Sequence, residues 1–389
     1  MRATRRSLTN AKVERIPASG IRRFFDLVSG TEGVISLGVG EPDFITPDRF
    51  RDAAIQSIKD GRTKYTSNYG ILPLREAISE HTAKLRGVRY DPEREILVTV
   101  GVSEAVDLAL RATLNDGDEV VIADPSYVAY VPGIVLAGGV PVPVPTDEEH
   151  EFRLRPEDVE RAITPRTRAI LLGFPSNPTG AVLTDDDLKG IAKLVEEHDL
   201  LVYADEIYDR LVYGVTHRSI IEFPGMRDRT VYLAGFSKSY AMTGWRVGYA
   251  CAPAEVIGQM MKIHQYTVMC VPTAAQYAAL EALRNGEADV LRMVGEYDRR
   301  RKVMLKQFND LGLHCFEPRG AFYCFPNITS SGMNDEQFAE RLLLEEKVVT
   351  VPGSAFGERG RGHVRACYAT SLEKIEEAGE RIARFVGRA

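Results

Sequence analysis

The sequence predicts an α/β protein: a mostly parallel, seven-stranded sheet between helices, with a smaller α+β unit beside it. Three observations predict this. Between about residues 95 and 252 lie seven short apolar runs, "EILVTV", "EVVIA", "VPVPV", "AILLGF", "LLVYA", "TVYLAGF" and "RVGYACA". They are continuous rather than alternating in polarity, as strands buried on both faces are. Amphipathic stretches, such as 103–114 and 185–198, separate several of them, and strand–helix alternation argues for parallel layers. After Cys251 the texture changes. Residues 254–310 read as long helices, "AEVIGQMMKIHQY" and "TAAQYAALEALRNGEADVLRMVGEYDRRRKVMLKQFNDL". Then "AFYCF", "VVTVPG" and "HVRACY" read as strands, and "NDEQFAERLLLEEK" and "SLEKIEEAGERIARFVG" as helices. A boundary is expected near 285–295. The expected large domain spans 46–288, and the small one joins 1–45 to 289–389.

The bulk properties fit that division. A chain of 389 residues is too long for one small core. Hydrophobic content of 44% and charge of 27% are ordinary for a soluble globular protein. The net charge of −6 argues against a nucleic-acid partner. The opening "MRATRRSLTNAKVER" is basic but leads into no apolar segment, so it reads as an arm rather than a secretory leader. No apolar run approaches the roughly 18 residues of a membrane span. Five cysteines, with no CxxC, fit free thiols in a reducing cytoplasm. Seven scattered histidines offer no metal-ligand spacing.

In sheets of this kind ligands sit at the carboxyl ends of the strands. Five strand ends deliver chemistry. "EILVTV" runs into Gly101-Val102-Ser103, opening a helix; "EVVIA" leads to Tyr127; "AILLGF" leads to Asn177 in "NPTG". "LLVYA" delivers Asp205 and Tyr208, and "TVYLAGF" delivers Ser237 and Lys238. The amides of Val102 and Ser103 at a helix start make an anion site, which Ser237 and Arg246 complete with a hydroxyl and a forked cation. Tyr127 offers a flat face for a ring. Asp205, emerging from a buried strand, needs a cationic partner such as a protonated pyridine nitrogen. Tyr208 and Asn177 reach a ring hydroxyl, and a desolvated Lys238 amine can condense with an aldehyde. Together they describe a site for pyridoxal 5′-phosphate. Four other features read as structural: Glu206, Tyr69, Trp245 as a packing anchor, and the basic run at 297–306 as the solvated face of a helix.

The motifs "ISLGVGEPDF", "KYTSNYG", "NPTG", "YADEIY", "SKSYAMTGWRVGY", "PRGAFY" and "VPGSAFG" followed by "VRACYAT" run in this order from about residue 15 to the C-terminus. In them the chain resembles class I aminotransferases of the fold-type I pyridoxal-phosphate enzymes, in the aspartate/aromatic subgroup. The resemblance implies that Lys238 anchors the cofactor and then moves the proton between substrate Cα and cofactor C4′. It also implies a homodimer in which Tyr65 reaches the phosphate in the partner subunit's site. Arg365 would clamp the substrate α-carboxylate, helped by Asn177 and the backbone of Gly38. Asp124-Pro125 and Asn177-Pro178 match positions the family tends to hold cis. The implied activity is ping-pong transfer of an amino group from an L-amino acid to a 2-oxo acid, with 2-oxoglutarate the expected acceptor. Some aspartate-specific relatives carry lysine where this chain has Ser103, which favours an aromatic or broad donor. Aspartate or alanine aminotransfer and C–S β-elimination stay open as alternatives.

Overall fold

The structure, a computed structural model, describes residues 8–16 and 33–387. Residues 1–7 and 17–32 of the expected N-terminal arm lie outside the described residues. The seven apolar runs form one sheet: β1 (Ile96–Thr99), β2 (Glu119–Asp124), β3 (Val140–Pro145), β4 (Thr167–Leu172), β5 (Leu201–Asp205), β6 (Thr230–Gly235) and β7 (Gly248–Cys251), in spatial order β1-β7-β6-β5-β4-β2-β3. β7 runs antiparallel to both its neighbours and every other pairing within the sheet is parallel. Six strands therefore end at one edge, and β7 starts there. β1, β2 and β7 are buried along their whole length, as continuous apolar runs require. β3 departs from that expectation. It is the exposed edge strand, because Pro141, Pro143 and Pro145 lack the N–H that a second neighbour would need.

Helices follow the strands and cover the sheet. They include α1 (Gly101–Thr113), α2 (Tyr130–Leu136), α3 (Asp185–Glu197), α4 (Ala254–Thr267), α5 (Thr273–Asn285) and α6 (Glu287–Asp310). The start of α3 is fixed by a capping box in which Thr184 and Asp187 satisfy each other's backbone N–H groups. The sequence reads α5 and α6 as one continuous stretch, but they break at Gly286. A Cβ there would lie 2.4 Å from the Ala282 carbonyl oxygen and 2.6 Å from the Phe50 ring.

Along α6 the packing changes hands. Val290 belongs to the core under the sheet, whereas Met293, Tyr297 and Met304 belong to a second core with Phe322, Phe338 and Phe385. That second core lies under the antiparallel sheet of Tyr323–Cys324, Val351–Pro352 and Val364–Cys367, with Val364–Cys367 in the middle. The short strand Ile35–Ser36 joins it by pairing in parallel with Val348–Val349. Residues 11–14 instead pack against α2, and Lys12 pairs with Asp116. The basic run on α6 is not simply a solvated face. Arg300 and Arg301 are buried and ion-paired, Arg300 to Asp43 at 2.8 Å and Arg301 to Glu317 at 2.9 Å. All five cysteines are free. Among the described residues no helix is long and apolar enough to cross a membrane.

Candidate active site

The strand ends meet the second core in a cavity of about 670 Å³. Its lining includes Gly38, Val102, Ser103, Tyr127, Asn177, Asp205, Tyr208, Ser237, Lys238, Arg246 and Arg365, which is every residue singled out by sequence except Tyr65. Tyr65 is 81% exposed and stands outside that lining.

One end of the cavity is built around Asp205, the last residue of β5. Its side chain is 6% exposed and has no ion-pair partner among the described residues. Oδ2 accepts from the Tyr130 hydroxyl at 2.8 Å and Oδ1 from the Ile207 N–H at 3.2 Å. Burial pushes the carboxyl up to about 6, against the pull of those two hydrogen bonds. Tyr127 stands edge-on to Tyr130 at 5.5 Å. The Tyr208 hydroxyl pairs with that of Tyr323 at 2.8 Å, and burial raises its pKa well above the phenol range, so it stays a neutral phenol.

The other end is an open turn. Gly101 has φ +71°, and a Cβ there would lie 2.7 Å from an Arg246 guanidinium nitrogen. A Cβ on Gly248 would lie 2.6 Å from the Val102 nitrogen. Two glycines thus let the first turn of α1 nest between β7 and Arg246, with the free amides of a helix start facing the cavity. Arg246 is exposed, donates to the Thr243 carbonyl at 3.0 Å and has no carboxylate partner among the described residues.

Between the ends stand two more cations. Lys238 Nζ donates to the Gly40 carbonyl at 2.6 Å. Burial pulls its amine down to about 8, and Arg365 and Arg246 push the same way. Arg365, on the middle strand of the antiparallel sheet, is 3% exposed. Its guanidinium donates to Asn177 Oδ1 at 2.8 Å and to the Gly38 carbonyl at 2.6 Å. It lies 4.4 Å from the centre of the Tyr323 ring, and its Nε is buried without a hydrogen-bond partner among the described residues. Gly38 therefore meets Arg365 through its carbonyl oxygen.

Sequence reasoning missed three contributors: Tyr130, Tyr323 and Gly40. Tyr323 closes "PRGAFY" and Gly40 lies in "ISLGVGEPDF", so both lay inside motifs already noticed, whereas Tyr130, three residues after Tyr127, lay in none. The peptide bonds Asp124-Pro125 and Asn177-Pro178 are cis as the resemblance implied, and Phe174-Pro175 is cis as well.

The residues fit pyridoxal 5′-phosphate. A buried carboxylate without a cation suits a pyridinium nitrogen, the glycine-cradled turn beside unpaired Arg246 suits a phosphate, and a desolvated lysine suits an aldehyde. Fold and site together define an enzyme of the pyridoxal-phosphate type. The sequence profile described as "Aminotransferase class I and II" matches residues 32–382. An aromatic-amino-acid aminotransferase of Thermococcus litoralis is 46% identical, over 96% of this chain and 97% of its own length. An aspartate aminotransferase of Pyrococcus abyssi is also 46% identical, over the same shares. The crystal structure of an aromatic aminotransferase from Pyrococcus horikoshii superposes with a TM-score of 0.90 at 46% identity, covering 95% of this chain and 99% of that one. The chain belongs to the class I and II aminotransferases, and it is a pyridoxal 5′-phosphate-dependent enzyme.

Proposed function

We propose that this enzyme transfers the amino group of an aromatic, or broadly chosen, L-amino acid to 2-oxoglutarate in two half-reactions, working in the cytoplasm as a homodimer. Val102, Ser103, Ser237 and Arg246 hold the cofactor phosphate. Tyr65 of a second copy adds a hydroxyl there, which accounts for its exposure in a single chain. Tyr127 stacks on the ring, Tyr208 and Asn177 bond its oxygen, and Asp205 faces its nitrogen. Opposite that cation the carboxylate is favoured over the neutral form that burial alone prefers. The bound cofactor supplies the electron sink for the charge left on the substrate α-carbon. Lys238 Nζ, with a pKa of about 8, is partly unprotonated near neutral pH and takes the Cα proton. Arg365 holds the α-carboxylate in a fork that Asn177, Gly38 and Tyr323 keep in place. The two cores suggest a large domain of 46–288 and a small one that draws on both termini, with residues 11–14 leaning on the large one. Five free thiols suit a reducing compartment.

One observation carries the choice of donor. Among the described residues three cations line the cavity, Lys238, Arg246 and Arg365, and each has an assigned task. Glu41 and Asp107 also line it and are acidic. Among the described residues no lining cation is left for a distal carboxylate, and Ser103 adds none. A half-reaction panel tests the reading. The cofactor-loaded enzyme is mixed with single amino acids without acceptor, the cofactor absorbance is followed and ammonia is assayed. Conversion to the amino form without ammonia, fastest with tyrosine or phenylalanine, supports it. Fastest conversion with aspartate or alanine overturns the donor assignment, and ammonia release points to β-elimination.

A further inference from the structure

The turn that aims the amides of Val102 and Ser103 is itself gripped from outside the cavity. The Val100 N–H, at the N-cap of α1, donates to Glu104 Oε2 at 2.5 Å. The other carboxylate oxygen, Oε1, accepts from Nδ1 of His264 at 2.9 Å. His264 comes from α4, which packs along α1, and its side chain is 0% exposed. Its Nε2 is buried with no hydrogen-bond partner among the described residues.

Packing alone does not explain this pair. An apolar residue would fill the place of His264 without stranding a buried ring nitrogen, an arrangement that costs stability. A glutamate beside a phosphate site opposes the anion it borders, although a helix N-terminus tolerates it. What the pair does accomplish is geometric. It ties the residue just before Gly101 to a helix outside the site, while Arg246 from the cavity side and Gly248 from β7 bound the same turn. The main-chain turn is thus held on both sides.

We propose that Glu104 and His264 are positioning residues for the cofactor phosphate. Glu104, oriented by His264, fixes the Val100 N–H and so directs the amides of Val102 and Ser103. This rests on the reading that those amides and Arg246 bind the phosphate. The two claims can be tested separately.

The apoprotein is titrated with pyridoxal 5′-phosphate and, separately, with pyridoxal, which keeps the aldehyde and ring but lacks the phosphate. Attachment at Lys238 is read by absorbance. Glu104→Ala and His264→Gln each weaken pyridoxal phosphate by ~10-fold, the size of one lost hydrogen bond, and change pyridoxal by less than ~2-fold. Glu104→Gln keeps an oxygen for Val100 and recovers to within ~3-fold of wild type. Should Glu104→Ala fail to fold, His264→Gln and Glu104→Gln carry the comparison. Equal losses for both ligands, or no loss for either, overturn the proposal. Arg246→Ala is the control. If it alone weakens pyridoxal phosphate selectively, the positioning claim fails and the phosphate reading stands. If it too fails to discriminate the ligands, the phosphate reading itself falls.

Discussion

The two ends of the cavity are built on different plans. At the Asp205 end the polar groups are buried: Asp205 is 6% exposed, the hydroxyl-bearing Tyr130 and Tyr208 are buried, and the partners Tyr130 and Ile207 come from the same chain. At the Arg246 end the site is open. Arg246 is exposed, and a second cavity of about 620 Å³, lined by Glu41, Trp245, Arg246 and Ala275 among others, adjoins the turn. The end proposed to tune the chemistry draws its described partners from one chain. The end proposed to grip the phosphate leaves room for another surface. Electrostatic preorganisation needs fixed groups in a dry place, whereas recognition tolerates a contribution from outside.

Substitutions can break that contrast, and the largest effects belong at the buried centre. Lys238→Ala should lower turnover by at least ~10³-fold while cofactor still binds without a covalent bond, seen as absorbance lost on dialysis. Near-normal turnover would remove Lys238 from its role. Asp205→Ala should slow Cα proton abstraction by more than ~10²-fold, measured as a deuterium-sensitive single-turnover rate. A loss below about tenfold would count against its place under the ring. Arg365→Lys should raise KM for all amino acids by ~10-fold or more with a smaller change in kcat, because an ammonium cannot reproduce the fork.

The apoprotein tests the same buried centre without substrate. The Asp205 carboxyl is raised from 3.8 to about 6, so its contribution to stability is full below 3.8 and is lost as pH rises through about 6. Lys238 is lowered from 10.5 to about 8, so its contribution is present above 10.5 and is lost as pH falls through about 8. Both groups therefore burden the apoprotein between about pH 6 and 8. Asp205→Asn should stabilise it at pH 7 by at most ~3 kcal/mol and flatten the denaturation midpoint between pH 4 and 6. Unchanged pH dependence would place the carboxyl in a wetter environment. The smallest effect belongs to the open end: Tyr65→Phe should weaken cofactor binding by only a few-fold, about the value of one exposed hydrogen bond.

What was legible in the sequence follows the same divide. The strand ends could be read because backbone direction alone puts Gly101, Asn177, Asp205 and Lys238 on one edge. Arg365 was reached only through resemblance, since its strand belongs to another sheet and no local pattern aims it at β4. Tyr130 was missed because a tyrosine on a short helix looks like core until its hydroxyl is seen on Asp205. The edge position of β3 could have been read from its alternating prolines. The burial of Arg300 and Arg301 could not, because Asp43 and Glu317, which pair with them alongside Glu296 and Asp298 of the same helix, come from elsewhere in the chain.

The central claim is that the cavity's described lining offers no spare cation to a distal carboxylate. The most direct measurement is the ratio of half-reaction kcat/KM for tyrosine over aspartate, in the wild type and in Ser103→Lys. The account predicts tyrosine ahead by ~10-fold or more in the wild type, and a shift of ~10-fold towards aspartate on adding the lysine. Aspartate ahead in the wild type, with no response to Ser103→Lys, would contradict it.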